Sequence, residues 1–431
     1  MKEAQNCTKE LLKFIQDSPS CYHAIENVAN AYREHGFEVL EESGDWKLEW
    51  GKKYCVIRND SALIAFCLPK KKEKVKGYHV AAAHCDSPTF KVKENPERGV
   101  ESYVLLNVEK YGGMIHSTWL DRPLSVAGRI AIADEKTGKI LTKLVNVDRD
   151  LLTMPSLAIH MNRDVNKGVE LKPQTDLQPL CAMTAPGDEK PSLLWIVAKA
   201  AGVKKEQILG NDLFLYVRET GRIFGADQEF ILSPKLDDLQ CVYALTKAHV
   251  ESREKEFITV NAIFDNEEVG SGSNQGADST FLEDVILRMG EALEIPASKQ
   301  KAWIAGGFMI SADNAHAVHP CHPEKADPTN RPYLNGGPVL KFNSAQKYTT
   351  DGKTAAQFRS LCIKAGVPCQ TYVNHSDVPG GSTLGNISTA HVSIPSVDVG
   401  LPQLAMHSAV ETGGVLDTLM AVKVIKEYFS E

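Results

Sequence analysis

The sequence lacks any apolar stretch of the length that a bilayer requires, and this excludes a membrane-spanning helix. Its first residues, MKEAQNCTKELLKFIQ, contain acidic residues and glutamine where a signal peptide would be apolar. The ten cysteines are scattered and form no C-x-x-C pair, so a zinc finger is excluded. These absences predict a cytoplasmic protein that has no membrane partner and whose thiols are reduced and mostly buried.

Features of several other protein classes are also missing. The net charge is −7, and no basic stripe with interleaved aromatic residues is present, so we expect no nucleic-acid partner. No G-x-S-x-G motif supports a serine hydrolase of the α/β class. The glycine-rich run at 380–383 lacks the spacing and the lysine of a phosphate-binding loop.

The chain length and the changing residue pattern predict two domains. With 431 residues, of which 43% are hydrophobic and 24% charged, the chain is typical of a globular protein with more than one core. An α/β pattern covers 1–92 and returns at 235–431. Between them, 93–234 contains short β-patterned pieces separated by glycines and polar connections, which predicts an inserted, mainly β domain.

Hydrophobic periodicity predicts the elements of the α/β part. Two helices are expected before residue 36, separated by Ser18-Pro19-Ser20, and two further helices at 238–250 and 416–428. Strands are predicted at 54–57, 62–67, 78–83, 257–264, 303–310 and 396–399. Polar clusters follow several of these strands. Because ligands bind at the carboxyl ends of strands in open α/β sheets, these clusters are the candidates for a functional site.

Two clusters directly follow apolar strands. His84 and Asp86 are two apart on an extended chain and so point to the same side, where an imidazole binds a metal and a carboxylate orients it. In isolation, such a pair is more often a surface or core hydrogen-bonded pair. Glu267 and Glu268 end the strand at 257–264; one carboxylate suits a metal and its neighbour suits proton transfer. An acidic loop that caps the next helix is the alternative.

Asp313, Asp237 and His407 are the other candidate metal ligands. Asp313 follows a predicted strand, as expected of a ligand, and His316 and His319 beyond it are open between ligand, substrate contact and loop residue. Asp237 precedes a predicted helix and would also serve as an N-cap. His407 lies between a strand and a turn, where a lone histidine is more often structural.

Charge balance favours two ions over one. Two imidazoles and three carboxylates suit borderline ions, with zinc favoured and manganese or cobalt also compatible. Two divalent cations are balanced by three carboxylates and a bridging hydroxide, whereas a single ion would leave an excess of negative charge. Two ions about 3.5–4 Å apart lower the pKa of a bridging water and polarise a carbonyl.

Eight motifs resemble the aspartyl aminopeptidase family of dinuclear zinc exopeptidases. They occur in family order between about 80 and 412: AAAHCDSP, LAIHMNRDVN, SPKLDDL, FDNEEVGS, SADNAHAVHP, GPVLKFNSAQKY, GGSTLG and PQLAMHSAVE. Asp238 departs from the family's frequent asparagine, and Cys321 stands where an asparagine is common. The resemblance implies an α/β fold, namely a mixed-sheet dinuclear zinc exopeptidase catalytic domain with an inserted, mainly β dimerisation domain.

The resemblance also implies a role for each matching residue. The implied metal ligands are His84, Asp237, Glu268, Asp313 and His407. Asp237 would bridge the two ions, Glu267 would be the catalytic base, and Asp86 would support the ligands. His160, Lys341 and Tyr348 would contact the substrate, with His160 reaching a neighbouring subunit's site.

The implied activity is removal of the N-terminal residue from peptides, with a preference for Asp or Glu. Dimers of the chain would assemble into a dodecamer. An aminopeptidase of neutral or broad preference, a carboxypeptidase or amide deacylase on the same site, and a catalytically silent assembly or cargo relative are the alternatives. Retention of every ligand and of Glu267 argues against the last one.

Overall fold

A computed structural model describes residues 1–134, 136–184, 191–253, 256–378, 380–381 and 383–431. Position 382, within the GGSTLG motif, is outside the described residues. The described α-helices are α1 Lys2–Gln16, α2 Cys21–Glu34, α3 Pro173–Asp176, α4 Leu193–Ala201, α5 Leu236–Glu251, α6 Phe281–Ala292, α7 Ala297–Ala305, α8 Gly352–Ala365, α9 Leu384–His391 and α10 Asp417–Phe429. Within the described ranges, none is long and apolar enough to cross a membrane.

Twenty strands are described, and they form three sheets. In chain order they are β1 Glu38–Leu40, β2 Lys53–Arg58, β3 Ala62–Cys67, β4 Gly77–His84, β5 Thr89–Val100, β6 Tyr103–Tyr111, β7 Leu124–Ala133, β8 Ile140–Asn146, β9 Leu180–Met183, β10 Ile208–Val217, β11 Arg222–Phe224, β12 Phe230–Ser233, β13 Phe257–Phe264, β14 Phe308–Ala312, β15 Ala315–His316, β16 Val339–Phe342, β17 Gln370–Val373, β18 Ser396–Gly400, β19 Pro402–Leu404 and β20 Glu411–Gly414.

The largest sheet has nine strands in the order β1-β2-β3-β13-β4-β14-β18-β16-β17 and is mixed. Its central strand β4 pairs in parallel with both β13 and β14, whereas β3 runs antiparallel to β13. Every residue of β4 is buried. Helices cover both faces, which explains why β4 reads as a continuous apolar run instead of an alternating one.

Two hydrophobic cores flank this sheet. One face packs against α1, α2, α5, α8 and α10 through residues such as Leu11, Ile25 and Val424. The other face packs against α6, α7 and α9 through residues such as Phe281 and Met289. This three-layer arrangement confirms the predicted mixed-sheet α/β class.

One predicted strand is wrong in its first half. The apolar run 303–310 was expected to be a single strand, but α7 extends to Ala305 and β14 begins only at Phe308. Gly306 ends the helix, and Gly306 and Gly307 together separate the two elements. A short apolar run cannot be assigned to helix or strand by periodicity alone, so the two glycines were the better signal.

The second sheet has six strands in the order β8-β7-β10-β5-β6-β9 and a core of its own. It contains an antiparallel hairpin of β7 and β8, whose register runs from Ala127–Asn146 to Ala133–Ile140. Position 135, between these strands, is outside the described residues. The predicted boundary at residue 93 falls within β5. The division into domains, and the role of the inserted one in dimerisation, stay predictions.

Candidate metal centre

Three adjacent strands bring polar residues to one edge of the nine-stranded sheet. His84 is the last residue of β4, Asp313 follows β14, and a short 3-10 helix that begins at Glu267 follows β13. Because β4 is parallel to both neighbours, the carboxyl ends of all three strands meet there. Asp237 joins them from the first turn of α5, and His407 joins them from the connection between β19 and β20.

The five predicted ligands come together as two groups that share one residue. In the first, Nε2 of His84 lies 3.6 Å from Oδ1 of Asp237 and 4.0 Å from Oδ1 of Asp313. In the second, Nε2 of His407 lies 3.4 Å from Oδ2 of Asp237 and 3.4 Å from Oε2 of Glu268. The ligand atoms of each group lie within 4.8 Å of one another. Asp237 therefore presents one carboxylate oxygen to each group.

The donor atoms and their spacing fit zinc. Ligands at about 2.0–2.1 Å from a tetrahedral ion are about 3.3–3.4 Å from each other, close to the separations in the second group. Oδ1 of Asp237 and Oε1 of Glu268 are buried and have no hydrogen-bond partner among the described residues. Buried carboxylate oxygens without a partner are costly, and a cation at this position removes that cost.

Hydrogen bonds orient both imidazoles with Nε2 toward the carboxylates. Nδ1 of His84 is 3.1 Å from the backbone oxygen of Asp86 and 3.3 Å from its Oδ1. Nδ1 of His407 donates to the carbonyl oxygen of Gly113 at 2.8 Å. A proton held on Nδ1 leaves the Nε2 lone pair free, which is the tautomer that binds a metal.

Asp86, whose supporting role stays a prediction, contacts the acidic segment that contains Glu267 and Glu268. Its carboxylate accepts the backbone N–H groups of Glu267 and Glu268, each at 3.1 Å, and the hydroxyl of Tyr111 at 2.8 Å. Asp86 is buried. One carboxylate thereby fixes the backbone of both the candidate base and a candidate ligand.

Glu411 does the same for two other ligands, and sequence analysis missed it. Its Oε2 accepts the backbone N–H of Asp237 at 3.0 Å, and its Oε1 accepts that of His407 at 2.7 Å. Glu411 is buried at the start of β20. The signal was a glutamate in the PQLAMHSAVE motif, four residues after His407.

The buried carboxylates strongly affect one another's protonation. Burial raises the pKa of Glu267 to about 7, and the charges of Asp313 and Asp86 add to this against the opposing effect of His84. Burial and the charge of Asp237 raise the pKa of Glu268. Burial disfavours the protonated form of His407, but the carboxylates around it raise its pKa to about 10. The cluster thus has a high affinity for positive charge.

Lys341 and Tyr348 lie beside the first group. Nζ of Lys341 is 3.2 Å from Oδ2 of Asp313 and donates to the carbonyl oxygen of Asn314 at 3.2 Å. It also lies 5.3 Å from the centre of the Tyr348 ring, and both side chains are buried. Lys341 therefore contacts a candidate ligand directly, and its assignment to substrate binding stays a prediction.

Four other histidines, of which three were considered above for ligand or substrate contact, lie outside the two ligand groups. The ring of His316 is 6.0 Å from that of Tyr372, and the charges that affect it include those of Asp237 and Asp313, so it borders the cluster. His319 and His322 lie on an exposed segment with their rings 5.3 Å apart. His160 is exposed in a part of the chain that follows β8, and its contact with a neighbouring subunit stays a prediction.

Two comparisons of the sequence with known proteins bear on the identity of the chain. Residues 14–429 match the sequence profile of the family described as "Aminopeptidase I zinc metalloprotease (M18)". The chain is 45% identical over 434 residues to a protein of Clostridium acetobutylicum named "Probable M18 family aminopeptidase 2", with all of both chains covered. The chain belongs to the M18 peptidase family. It is a zinc metallo-aminopeptidase, a hydrolase, as the motif resemblance implied.

Solved structures show the same fold for this M18 aminopeptidase. Ape4, from the cryo-EM structure of the Ape4 and Nbr1 complex, superposes with a TM-score of 0.95 at 35% identity, covering 99% of this chain and 86% of that chain. The mApe1 dodecamer of S. cerevisiae superposes with a TM-score of 0.86 at 27% identity, covering 99% and 97%. The predicted fold class of the M18 aminopeptidase is confirmed.

Proposed function

We propose that this aminopeptidase removes the N-terminal residue of peptides with two zinc ions bound side by side. His84 and Asp313 would hold one ion, Glu268 and His407 would hold the other, and Asp237 would contribute one carboxylate oxygen to each. The observation that carries this assignment is the division of the Asp237 carboxylate, whose two oxygens face different histidines. Manganese or cobalt suits the same donor set.

When bound, zinc lowers the pKa of its water ligand and polarises the substrate carbonyl. Glu267 accepts a proton from the attacking water and later donates it to the leaving amine. Asp86 holds Glu267 in place through the backbone. Tyr348 donates a hydrogen bond to the oxyanion that develops on the carbonyl oxygen.

We propose that the enzyme prefers peptides whose N-terminal residue is Asp or Glu. A neutral or broad preference is the alternative. Lys341 is the cation that would attract an acidic side chain, and it is already paired with Asp313 at 3.2 Å. An acidic substrate would therefore share this ammonium group with a metal ligand. A panel of peptides that differ only in their first residue separates the two alternatives.

We also propose that the protein is cytoplasmic and a homo-oligomer, in which the segment 93–234 mediates dimerisation and the dimers assemble into a dodecamer. The dodecameric state of the S. cerevisiae relative supports this proposal. So do Leu157, Ile159 and Met161, which flank His160 and are 52–70% exposed. Contiguous exposed apolar side chains are typical of protein interfaces. Mass measurement of the native particle tests the assembly. Loss of activity in His160→Ala with assembly intact tests the contribution of His160 to a neighbouring site.

Substitution of the base provides the central test. Glu267→Gln should retain the zinc content of the wild type, because Glu267 belongs to neither ligand group that shares Asp237, but should lose nearly all turnover. Exposed Glu73 provides the matched control, Glu73→Gln, which should behave as the wild type. Acetylation of the peptide amine should abolish hydrolysis by the wild type. Substantial activity in metal-loaded Glu267→Gln, or cleavage of the blocked peptide, would contradict the proposal.

A further inference from the structure

Asp398 is a buried carboxylate that the proposed mechanism does not use. It lies in β18, directly opposite Ser311 of β14. Within the described part of the chain, no cationic side chain forms an ion pair with it, since Lys341 of the neighbouring strand β16 pairs with Asp313 instead, at 3.2 Å. Burial raises the pKa of Asp398. A carboxylate without a counter-ion is costly at such a position, so its contacts are informative.

Two hydrogen bonds to this carboxylate come from the segment that contains Tyr348. Oδ2 of Asp398 accepts the backbone N–H of Thr349 at 2.5 Å and the hydroxyl of the same residue at 2.7 Å. The backbone N–H of Asp398 in turn donates to Oγ1 of Thr350 at 2.9 Å. These three hydrogen bonds connect the two residues that follow Tyr348 to β18.

The hydroxyl of Tyr348 has no such support of its own. Among the described residues it has no hydrogen-bond partner. The Tyr348 ring lies 5.3 Å from Nζ of Lys341. Burial raises the pKa of the Tyr348 hydroxyl, and the charges of Asp313 and Glu267 raise it further, so the hydroxyl lies near both carboxylates. Its position at the metal centre therefore depends on the backbone that carries the ring.

Gly385 leaves the space that the Asp398 carboxylate occupies. It lies in the first turn of α9, within the GGSTLG motif. A Cβ added to Gly385 would lie 2.4 Å from Oδ1 of Asp398 and 2.8 Å from Oγ of Ser311. Only glycine allows so close an approach of α9 to β18. Oδ1 thus packs against α9 while Oδ2 holds Thr349, and this fixes the direction of the carboxylate.

We propose that Asp398 is a positioning residue, which holds the hydroxyl of Tyr348 at the carbonyl oxygen of the substrate through Thr349. The inference rests on the proposed function, in which Tyr348 stabilises the oxyanion. Such a donor is effective only when it is in place before the charge develops. A displacement of about 1 Å lowers a rate by about 100-fold. Loss of this support should therefore lower kcat and leave the KM for peptide nearly unchanged.

Substitutions of Asp398 test this role. Asp398→Ala removes both hydrogen bonds to Thr349 and should lower kcat about 10–100-fold. Asp398→Asn keeps one side-chain oxygen that can accept both, so it should restore much of the lost turnover. The same two substitutions of Asp417 are the matched controls, because buried Asp417 accepts the backbone N–H groups of Asn335 and Gly337. They should lower the free energy of unfolding and leave kcat unchanged.

Tyr348→Phe separates positioning from a general structural role. It removes the oxyanion donor and should itself lower kcat about 100–1,000-fold. In that background Asp398→Ala should lower kcat by less than about threefold, because its effect passes through the missing hydroxyl. A structural role would lower kcat by the same factor in both backgrounds. If the Asp398 variants fail to fold, Thr349→Val removes one of the two hydrogen bonds and should lower kcat several-fold, with the same non-additivity.

Crystal structures of these variants test the placement without an activity assay. The hydroxyl of Tyr348 should move by about 1 Å or more in Asp398→Ala and keep its position in Asp417→Ala. Additive losses in the double variant, a wild-type kcat for Asp398→Ala, or an unmoved hydroxyl would overturn the inference. A wild-type kcat for Tyr348→Phe would instead refute the proposed role of Tyr348, and the crystal structures would then decide whether Asp398 places this hydroxyl.

Discussion

Replacement of Glu411 by glutamine should weaken zinc binding without removing any proposed ligand. The carboxylate of Glu411 accepts the backbone N–H groups of Asp237 and His407 at 3.0 and 2.7 Å. A glutamine has one oxygen and one NH2 group in place of the two oxygens. It can therefore accept only one of these N–H groups while its NH2 faces the other.

Two general magnitudes, one for hydrogen bonds and one for groups that orient metal ligands, give the size of the expected loss in zinc affinity. Loss of one hydrogen bond to a charged acceptor costs about 1.5–3 kcal/mol in a buried site. Loss of a group that orients a metal ligand typically weakens metal binding by about 10–100-fold. Since a tenfold change corresponds to about 1.4 kcal/mol, the two figures agree. We expect half-maximal activity at about 10–100-fold higher free zinc, with kcat largely restored at saturation.

Activity titrated with buffered zinc measures this shift. Asp417→Asn is the matched control, because buried Asp417 also accepts two backbone N–H groups, those of Asn335 at 2.7 Å and Gly337 at 2.9 Å. Neither belongs to a proposed ligand. The control should lower the free energy of unfolding and leave the zinc titration unchanged. A wild-type zinc titration for Glu411→Gln, or an equal shift in the control, would refute the reasoning.

Two further predictions concern Lys341 and His79. Lys341→Met leaves the carboxylate of Asp313 without its partner at 3.2 Å. We expect zinc binding, measured by zinc titration, to weaken about 10–100-fold. If only the preference for acidic peptides changes, Lys341 binds substrate instead. Burial lowers the pKa of His79, stacked between Phe257 and Tyr428, from 6.5 to about 4. The unfolded chain therefore takes up a proton that the folded chain does not as pH falls from 6.5 to 4, which costs about 3 kcal/mol of stability. In urea unfolding at pH 7 and pH 4, His79→Phe should lose this part of the acid sensitivity, and an unchanged pH dependence would show that His79 is not its source.

The sequence predicted the candidate metal ligands best where polar residues stand at the carboxyl ends of apolar strands. His84 is the last residue of an apolar strand, and Glu268 and Asp313 each follow one. The parallel pairing of these strands brings the three side chains to one edge. For Asp237 the sequence also allowed the role of a helix N-cap, and for His407 it also allowed a purely structural role. In the structure the N-cap of α5 is Lys235, and the carboxylate oxygens of Asp237 face the two histidines.

The contacts of Glu411 and Lys341 could not be predicted in this way. Glu411 belongs to a quoted motif, but its function depends on the N–H groups of Asp237, a contact across 174 residues of sequence. Lys341 was assigned to substrate from resemblance alone, and its ion pair with Asp313 is a tertiary contact that no local pattern encodes. Sequence patterns describe an element and its faces, whereas these contacts depend on how elements meet.

The order in which the chain supplies its ligands has a consequence for biosynthesis. His84 is made early, the six-stranded sheet follows, and Asp237, Glu268 and Asp313 come only after it. His407 is the last of the proposed ligands to be made, shortly before α10. Because the proposed ligands are contributed across most of the chain, a ribosome-bound fragment lacks part of the set. Stable loading with both ions would then follow the synthesis of His407, and a fully metallated molecule would be one in which both sheets and α5 have already been made.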